Sequence, residues 1–142
     1  MKVVGVSFTV VGAARSGLAA ANYLALAGAN VHLVDHKRDL ARPAQLDERV
    51  TFESGTNTVR NGDIAILSPG IPEVSPVRQE IAEQSCEALG EMELFGRLCP
   101  SPIIGVTGTD GKSTVTTMIG AIMQADDSGL ASRQLLQQLD HA

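Results

Sequence analysis

A unit made of an apolar run, a glycine loop and a helical stretch occurs twice in the chain. It constrains the fold more than any other feature. A β-branched and aromatic run from Val6 to Val11 meets Gly12-Ala13-Ala14-Arg15-Ser16-Gly17, and an Ala/Leu-rich stretch from Leu18 to Ala27 follows and stops at Gly28. Further on, Ile103 to Thr107 runs into Gly108-Thr109-Asp110-Gly111-Lys112-Ser113-Thr114, after which a helix is expected to about Gln124. Strands that feed helices in this manner pair in parallel, so the pattern predicts an α/β fold with a parallel sheet covered on both faces.

The elements between the two units agree. Asn30 to Val34 reads as a strand ending at Asp35, Val50 to Phe52 as a weaker strand, and Asp63 to Leu67 as a strand running into Ser68-Pro69-Gly70-Ile71-Pro72. Ser75 before Pro76 is an N-cap and first-turn pair that launches a helix to about Gln84. Cys86 to Leu89 gives a short strand, and Glu91 to Leu98 a helix. Pro100-Ser101-Pro102 is the natural linker, because proline bars helix continuation and stiffens a connection. This predicts a Rossmann-like domain over residues 1–99, followed over residues 100–142 by the beginning of a P-loop ATP-binding domain. Only 31 residues follow Gly111, enough for the loop's helix and one more around Ser132 to Leu139, so the second domain is expected to be incomplete.

Composition removes several function classes. Eleven basic against 16 acidic residues, a net charge of -5, disfavour a nucleic-acid binder, whose affinity rests on excess Lys and Arg. A single tyrosine, Tyr23, and no tryptophan leave little to stack on bases. Cys86 and Cys99 are too few for a disulfide framework and lack metal-ligand partners at short spacing. No window reaches about 18 continuous apolar residues, which indicates no membrane span, and the start is too short before Gly12 for a signal peptide. A cytoplasmic monomer is expected. His32 in mid-strand and His141 in the tail have no acid or nucleophile nearby in sequence and read as structural or solvent-facing. Glu73, Glu80, Glu83, Glu87, Glu91 and Glu93 read as a solvated helical face.

Chemistry concentrates in the loops. Gly12 to Gly17 is the dinucleotide fingerprint with Ala14 in the middle: Gly12 permits the turn, Gly17 the close approach of helix and strand, and the helix N-terminus faces a diphosphate. Asp35, 18 residues after Gly17, stands where an acid hydrogen-bonds a ribose hydroxyl. Lys37, Arg38 and Arg42 follow it and offer charge to a diphosphate. The second loop is a relaxed P-loop, with Val106 where the strict pattern has glycine. Lys112 is the phosphate-reaching lysine and Ser113 the magnesium-side hydroxyl.

The run Thr107 to Thr114 resembles the ATP loop of the Mur ligase family. Val10-Val11-Gly12-Ala13-Ala14-Arg15-Ser16-Gly17-Leu18-Ala19, Val34-Asp35, Ser68-Pro69-Gly70-Ile71-Pro72 and Gly90-Glu91-Met92-Glu93-Leu94-Phe95 resemble its D-glutamate-adding branch, in the same order, across residues 6 to about 124. The resemblance implies a ligase of peptidoglycan precursor synthesis that uses ATP and Mg2+. Such an enzyme activates the carboxylate of UDP-N-acetylmuramoyl-L-alanine as an acyl phosphate, which the amine of D-glutamate attacks. It implies that Arg15, Ser16 and Gly17 face the substrate diphosphate, that Asp35 and His36 lie near uridine, and that Gly70 lies on the phosphate side. It further implies that Gly108, Thr109, Asp110, Gly111, Lys112, Ser113 and Thr114 bind ATP, with Lys112 catalytic and Ser113 or Thr114 at the metal. After Gln124 the sequence departs from the family pattern, so the 142-residue chain alone is expected to bind without turning over. The rival expectations are a nicotinamide- or flavin-dependent oxidoreductase built on the first loop, a non-catalytic nucleotide-binding fragment, and the L-alanine-adding branch of the same family.

Overall fold

In the computed structural model, which describes residues 1–125, the apolar runs form strands because each is covered on two faces. Strand β1 (Ser7–Val11) has four of its five residues buried and β2 (Asn30–Asp35) five of six. That pattern suits the interior of a parallel sheet rather than an edge. With β3 (Thr51–Ser54), β4 (Ile64–Leu67) and β5 (Ala88–Gly90) they make one sheet in the order β3-β2-β1-β4-β5, all neighbours parallel. Phe8 pairs with Val31, and Val10 with both Leu33 and Ile66. The chain builds outward from β1 to β3, then returns across β1 to start β4, so strand order reverses between β1 and β4. In such sheets ligands sit outside the carboxyl ends of the strands at that reversal.

Helix α1 (Arg15–Leu26) buries Ala21, Leu24 and Ala25 against Phe8, Val10, Val31, Leu33 and Ile66, and α3 (Glu91–Leu98) adds Leu94 to the same layer. A fully buried leucine such as Leu24 contributes about 2 kcal/mol over an exposed one. On the opposite face α2 (Pro76–Glu83) presses Val77 and Ile81 onto Val11, Val34, Ala65 and Leu67, with Val59 beside them. The links from β2 to β3 and from β3 to β4 contain no helix, so polar groups occupy part of this face.

His32 is one of them. It stands beside Thr9 in register, its Nε2 lies 3.4 Å from Glu53 Oε2, and its buried Nδ1 has no partner. Thr9 is itself fully buried and donates to Asp63 Oδ2 at 2.6 Å. Burial and then the Arg60 charge hold His32 below its ordinary pKa of 6.5, against the opposing pull of Glu53 and Asp63. The folded state therefore binds fewer protons than the unfolded one near that pH. Stability is fully present above pH 6.5 and declines as pH falls below it towards the lowered folded value. Urea midpoints measured across this window are expected to fall on acidification, and to fall less in His32→Gln; identical pH profiles would contradict it.

Two expectations need correction, and a third is met in position without its side-chain bond. Helix α1 begins at Arg15 rather than Leu18, because Ala14 takes the extended cap conformation and lets Gly17 lie inside the first turn. Ser75 stands at the cap of α2 with Pro76 first in the helix, yet its hydroxyl makes no cap bond and is buried without a partner. The amide of Arg78 bonds the Ser75 carbonyl instead, at 3.0 Å. The strand expected over Ile103–Thr107 is absent, and Ile103 and Ile104 are exposed. A strand exists only beside a partner, and the described residues of the second unit include no other strand.

The chain divides into a first unit, Met1–Leu98, and a second beginning at Cys99. In the second, α4 (Lys112–Ala125) follows the glycine loop directly. The helix expected around Ser132 to Leu139, and His141, lie outside the described residues. Among the described residues no helix is long and apolar enough to cross a membrane.

Candidate functional site

The first site is built on a carboxylate. Asp35 ends β2, and its Oδ2 accepts the Ala13 amide at 2.8 Å while Oδ1 accepts the Lys37 amide at 2.9 Å. The Gly12 amide donates to the Val34 carbonyl at 2.8 Å, so the turn after β1 is tied to the end of β2 twice. The Asp35 carboxylate thus holds the turn. His36 beside it is exposed, with Nδ1 3.4 Å from Asp35 Oδ1.

Gly12 has φ +104, a conformation L side chains rarely adopt. Gly17 is needed for space. A Cβ there would overlap the Gly12 carbonyl oxygen and lie 3.1 Å from the Gly12 carbonyl carbon. The N-terminus of α1 is thereby drawn onto the carboxyl end of β1, at the strand-order reversal. Ala14 supplies no side-chain cap, and Arg15 and Ser16 are exposed, so the first turn presents backbone donors and a positive dipole end outward.

Ser68 closes the other side. A Cβ on Gly12 would lie 3.5 Å from Ser68 Cβ, so the loop carrying Gly70 runs beside the turn. The Ile71 amide bonds the Ser68 carbonyl at 3.0 Å, and Gly70 stands exposed above it. The structure thus brings Arg15, Ser16, Gly17, Asp35, His36 and the Gly70 loop to one end of one sheet. Arg42 is spent elsewhere: its guanidinium donates to the Val50 and Asp47 carbonyls at 2.9 and 2.7 Å.

In the second unit the loop from Gly108 to Gly111 turns through positive φ at both glycines. Lys112 Nζ folds back on it and donates to the Gly108 and Thr109 carbonyls, the latter at 3.3 Å. Thr116 and Thr117 use their hydroxyls on the carbonyls one turn back, Lys112 and Ser113, both at 2.9 Å. The hydroxyls of Ser113 and Thr114 make no such bond among the described residues, and both are exposed on the first helical turn. Flexible cation, glycine loop and open hydroxyls are a donor set that fits a polyphosphate with a hard divalent ion.

The sequence missed two residues. Arg78 and Glu91 line a cavity at the ends of β4 and β5, and both carry buried polar atoms without partners. Glu91 had been counted in a solvated acidic face. Its neighbours fit that description, Glu87 and Glu93 each pairing with Arg97 at 2.6 Å.

Residues 6–90 match the family model described as Mur ligase MurD-like, N-terminal domain. The chain is 39% identical over 126 residues to UDP-N-acetylmuramoylalanine--D-glutamate ligase of Chlorobaculum parvum, covering 86% of this chain and 27% of the relative. It is 35% identical over 132 residues to the enzyme of that name from Koribacter versatilis, covering 88% and 29%. To that of Haemophilus influenzae it is 30% identical over 122 residues, covering 84% and 28%. The chain therefore spans between a quarter and a third of the length of these curated relatives.

Proposed function

The chain belongs to the Mur ligase MurD-like N-terminal domain family, and from that premise we propose that it carries the UDP-substrate-binding part of a D-glutamate-adding ligase. One observation supports this most: Gly17 packs on the Gly12 carbonyl and so aims a helix N-terminus without a side-chain cap at the strand-order reversal, a setting whose backbone donors suit a diphosphate. In this reading the first-turn backbone of Arg15, Ser16 and Gly17 binds the diphosphate of UDP-N-acetylmuramoyl-L-alanine. Asp35 and His36 flank the uridine, and the Gly70 loop bounds the phosphates from the β4 side.

Residues 100–142 are proposed to begin the ATP-binding domain. Gly108, Thr109, Asp110 and Gly111 would wrap the nucleotide phosphates, and Ser113 and Thr114 would hold Mg2+. Lys112 would exchange the loop carbonyls for phosphate oxygens, keeping positive charge where negative charge develops. When bound, ATP with Mg2+ supplies the phosphoryl group that activates the substrate carboxylate before the amine of D-glutamate attacks. The reading makes the protein a cytoplasmic enzyme of peptidoglycan precursor synthesis.

Calorimetric titration of the chain with UDP-N-acetylmuramoyl-L-alanine, with NADH in parallel, tests it. Saturable heat from the UDP compound and none from NADH is the expected result. Heat from NADH alone would overturn the reading in favour of a dinucleotide-dependent oxidoreductase.

A further inference from the structure

Residues 55–63 join β3 to β4 without a helix and are tied to the sheet at both ends. At the first end the Gly55 amide donates to the Lys37 carbonyl at 3.0 Å and the Thr56 amide to the Asp35 carbonyl at 3.1 Å. At the second, Thr9 Oγ1 donates to Asp63 Oδ2 at 2.6 Å and accepts the Arg60 amide at 3.4 Å. Between them Val59 is buried in the cluster that holds Val11, Val34, Ala65 and Leu67. The segment is thus a strap. Its start holds the backbone that presents Asp35 and His36, and its end rests on the face of β1 that carries Thr9. His32 is in register with Thr9, and the alternation of side chains puts both on that face.

The His32 side chain is 5% exposed, with Nε2 facing Glu53 and Nδ1 buried without a partner. A neutral ring that donates from Nε2 to Glu53 keeps only a lone pair at Nδ1. A protonated ring carries an N–H there as well, and the closed structure offers that N–H no acceptor. The charges that face His32 are Glu53 from β3 and Arg60 and Asp63 from the strap. Asp63 is engaged by Thr9, Glu53 is more than half exposed and its attraction is screened by solvent, and Arg60 repels. We propose that residues 55–63 are a proton-sensitive strap: with His32 neutral it stays closed and holds the Asp35–Lys37 backbone in its binding shape, and protonation of His32 releases it and weakens ligand binding. Lifting the strap removes Arg60 from the ring and admits water to the new N–H. The ligand's identity rests on the UDP-substrate reading above.

The sign follows from proton counting. Burial and then Arg60 hold His32 below 6.5 in the closed structure, so the closed strap binds fewer protons than the lifted one. Closure is fully favoured above pH 6.5 and weakens as pH falls below it towards the lowered value. Linkage is reciprocal, so a ligand that needs the closed strap lowers the His32 pKa further when it binds. Two measurements between about pH 8 and about pH 5 test this. The first is hydrogen exchange of the original chain without ligand. Protection of the Gly55 and Thr56 amides, at the strap end away from Thr9, is expected to fall on acidification before that of the Asn30 amide, which bonds the Val6 carbonyl at the opposite end of β2 from Asp35. Protection of all three falling together, or not at all, would overturn the strap. The second is calorimetric titration with UDP-N-acetylmuramoyl-L-alanine, whose doubly esterified diphosphate keeps its charge in this window. Affinity is expected to fall with acid by up to about tenfold per pH unit, the limit for one linked proton, and to fall far less in His32→Gln. His36 and His141 are common to both chains and cancel in the comparison. Identical pH profiles in the two chains would overturn the proposal and leave UDP recognition standing. Absence of binding at every pH would overturn the UDP-substrate reading and the coupling with it.

Discussion

Gly17→Ala is expected to lower the melting temperature by more than about 10 °C and to abolish binding of the UDP compound. The methyl group would overlap the Gly12 carbonyl oxygen and stand 3.1 Å from the carbon of the same group. Both are backbone atoms, so no flexible side chain can swing away, and either α1 lifts off the turn or the turn opens. Overpacking of this kind costs about 3 kcal/mol at its upper range, and about 1 kcal/mol corresponds to roughly 4–8 °C in a domain this small. Binding suffers for the same reason, since the helix N-terminus reaches the carboxyl end of β1 only through that contact. Gly96→Ala is the control: a Cβ there meets nothing within 4 Å, and its place inside α3 makes alanine more stable by about 0.5–1 kcal/mol. Circular dichroism melts of the two variants should move in opposite directions. A Gly17→Ala chain that melts like the parent would remove the close approach as the reason for glycine there.

The difference between those two glycines marks what the sequence alone conveys. Periodicity revealed β1, β2 and β4 because buried parallel strands are continuously apolar. Pro76 revealed α2 because a ring with fixed φ suits a first helical turn. The start of α1 was less legible, since Ala14 caps by backbone conformation alone and carries no side-chain signal. The run over Ile103–Thr107 has the residues of a strand but no partner strand among the described residues, and pairing is a tertiary property. At the site, the loop residues were visible by spacing, whereas their support was not. Asp35 reaches back 22 positions to the Ala13 amide, and Arg78 and Glu91 meet one cavity from two different helices. Glu91 is indistinguishable in composition from Glu87 and Glu93, which pair with Arg97 at the surface. Only packing tells them apart.

Asp35 supplies the second large effect. Replacement by alanine leaves the Ala13 and Lys37 amides without their acceptors, at about 1–3 kcal/mol for each orphaned donor. Asp35→Ala should therefore lose about 2–6 kcal/mol in urea unfolding, with the Ala13 and Lys37 amides exchanging faster with solvent. Asp35→Asn is the sharper variant, because it fills nearly the same volume. Its side chain keeps one acceptor oxygen and places an NH2 donor where the second oxygen stood, so one of the two amides meets a donor. An intermediate loss of about 1–3 kcal/mol is expected, together with weaker binding of the UDP compound. A residue serving only as a ligand contact would behave differently: Asp35→Asn would leave unfolding and the Ala13 and Lys37 amide exchange rates unchanged and weaken binding alone. Stability and affinity falling together would identify Asp35 as the group that holds the turn in shape for its ligand, since the carboxylate that ends β2 also fixes the first turn of α1.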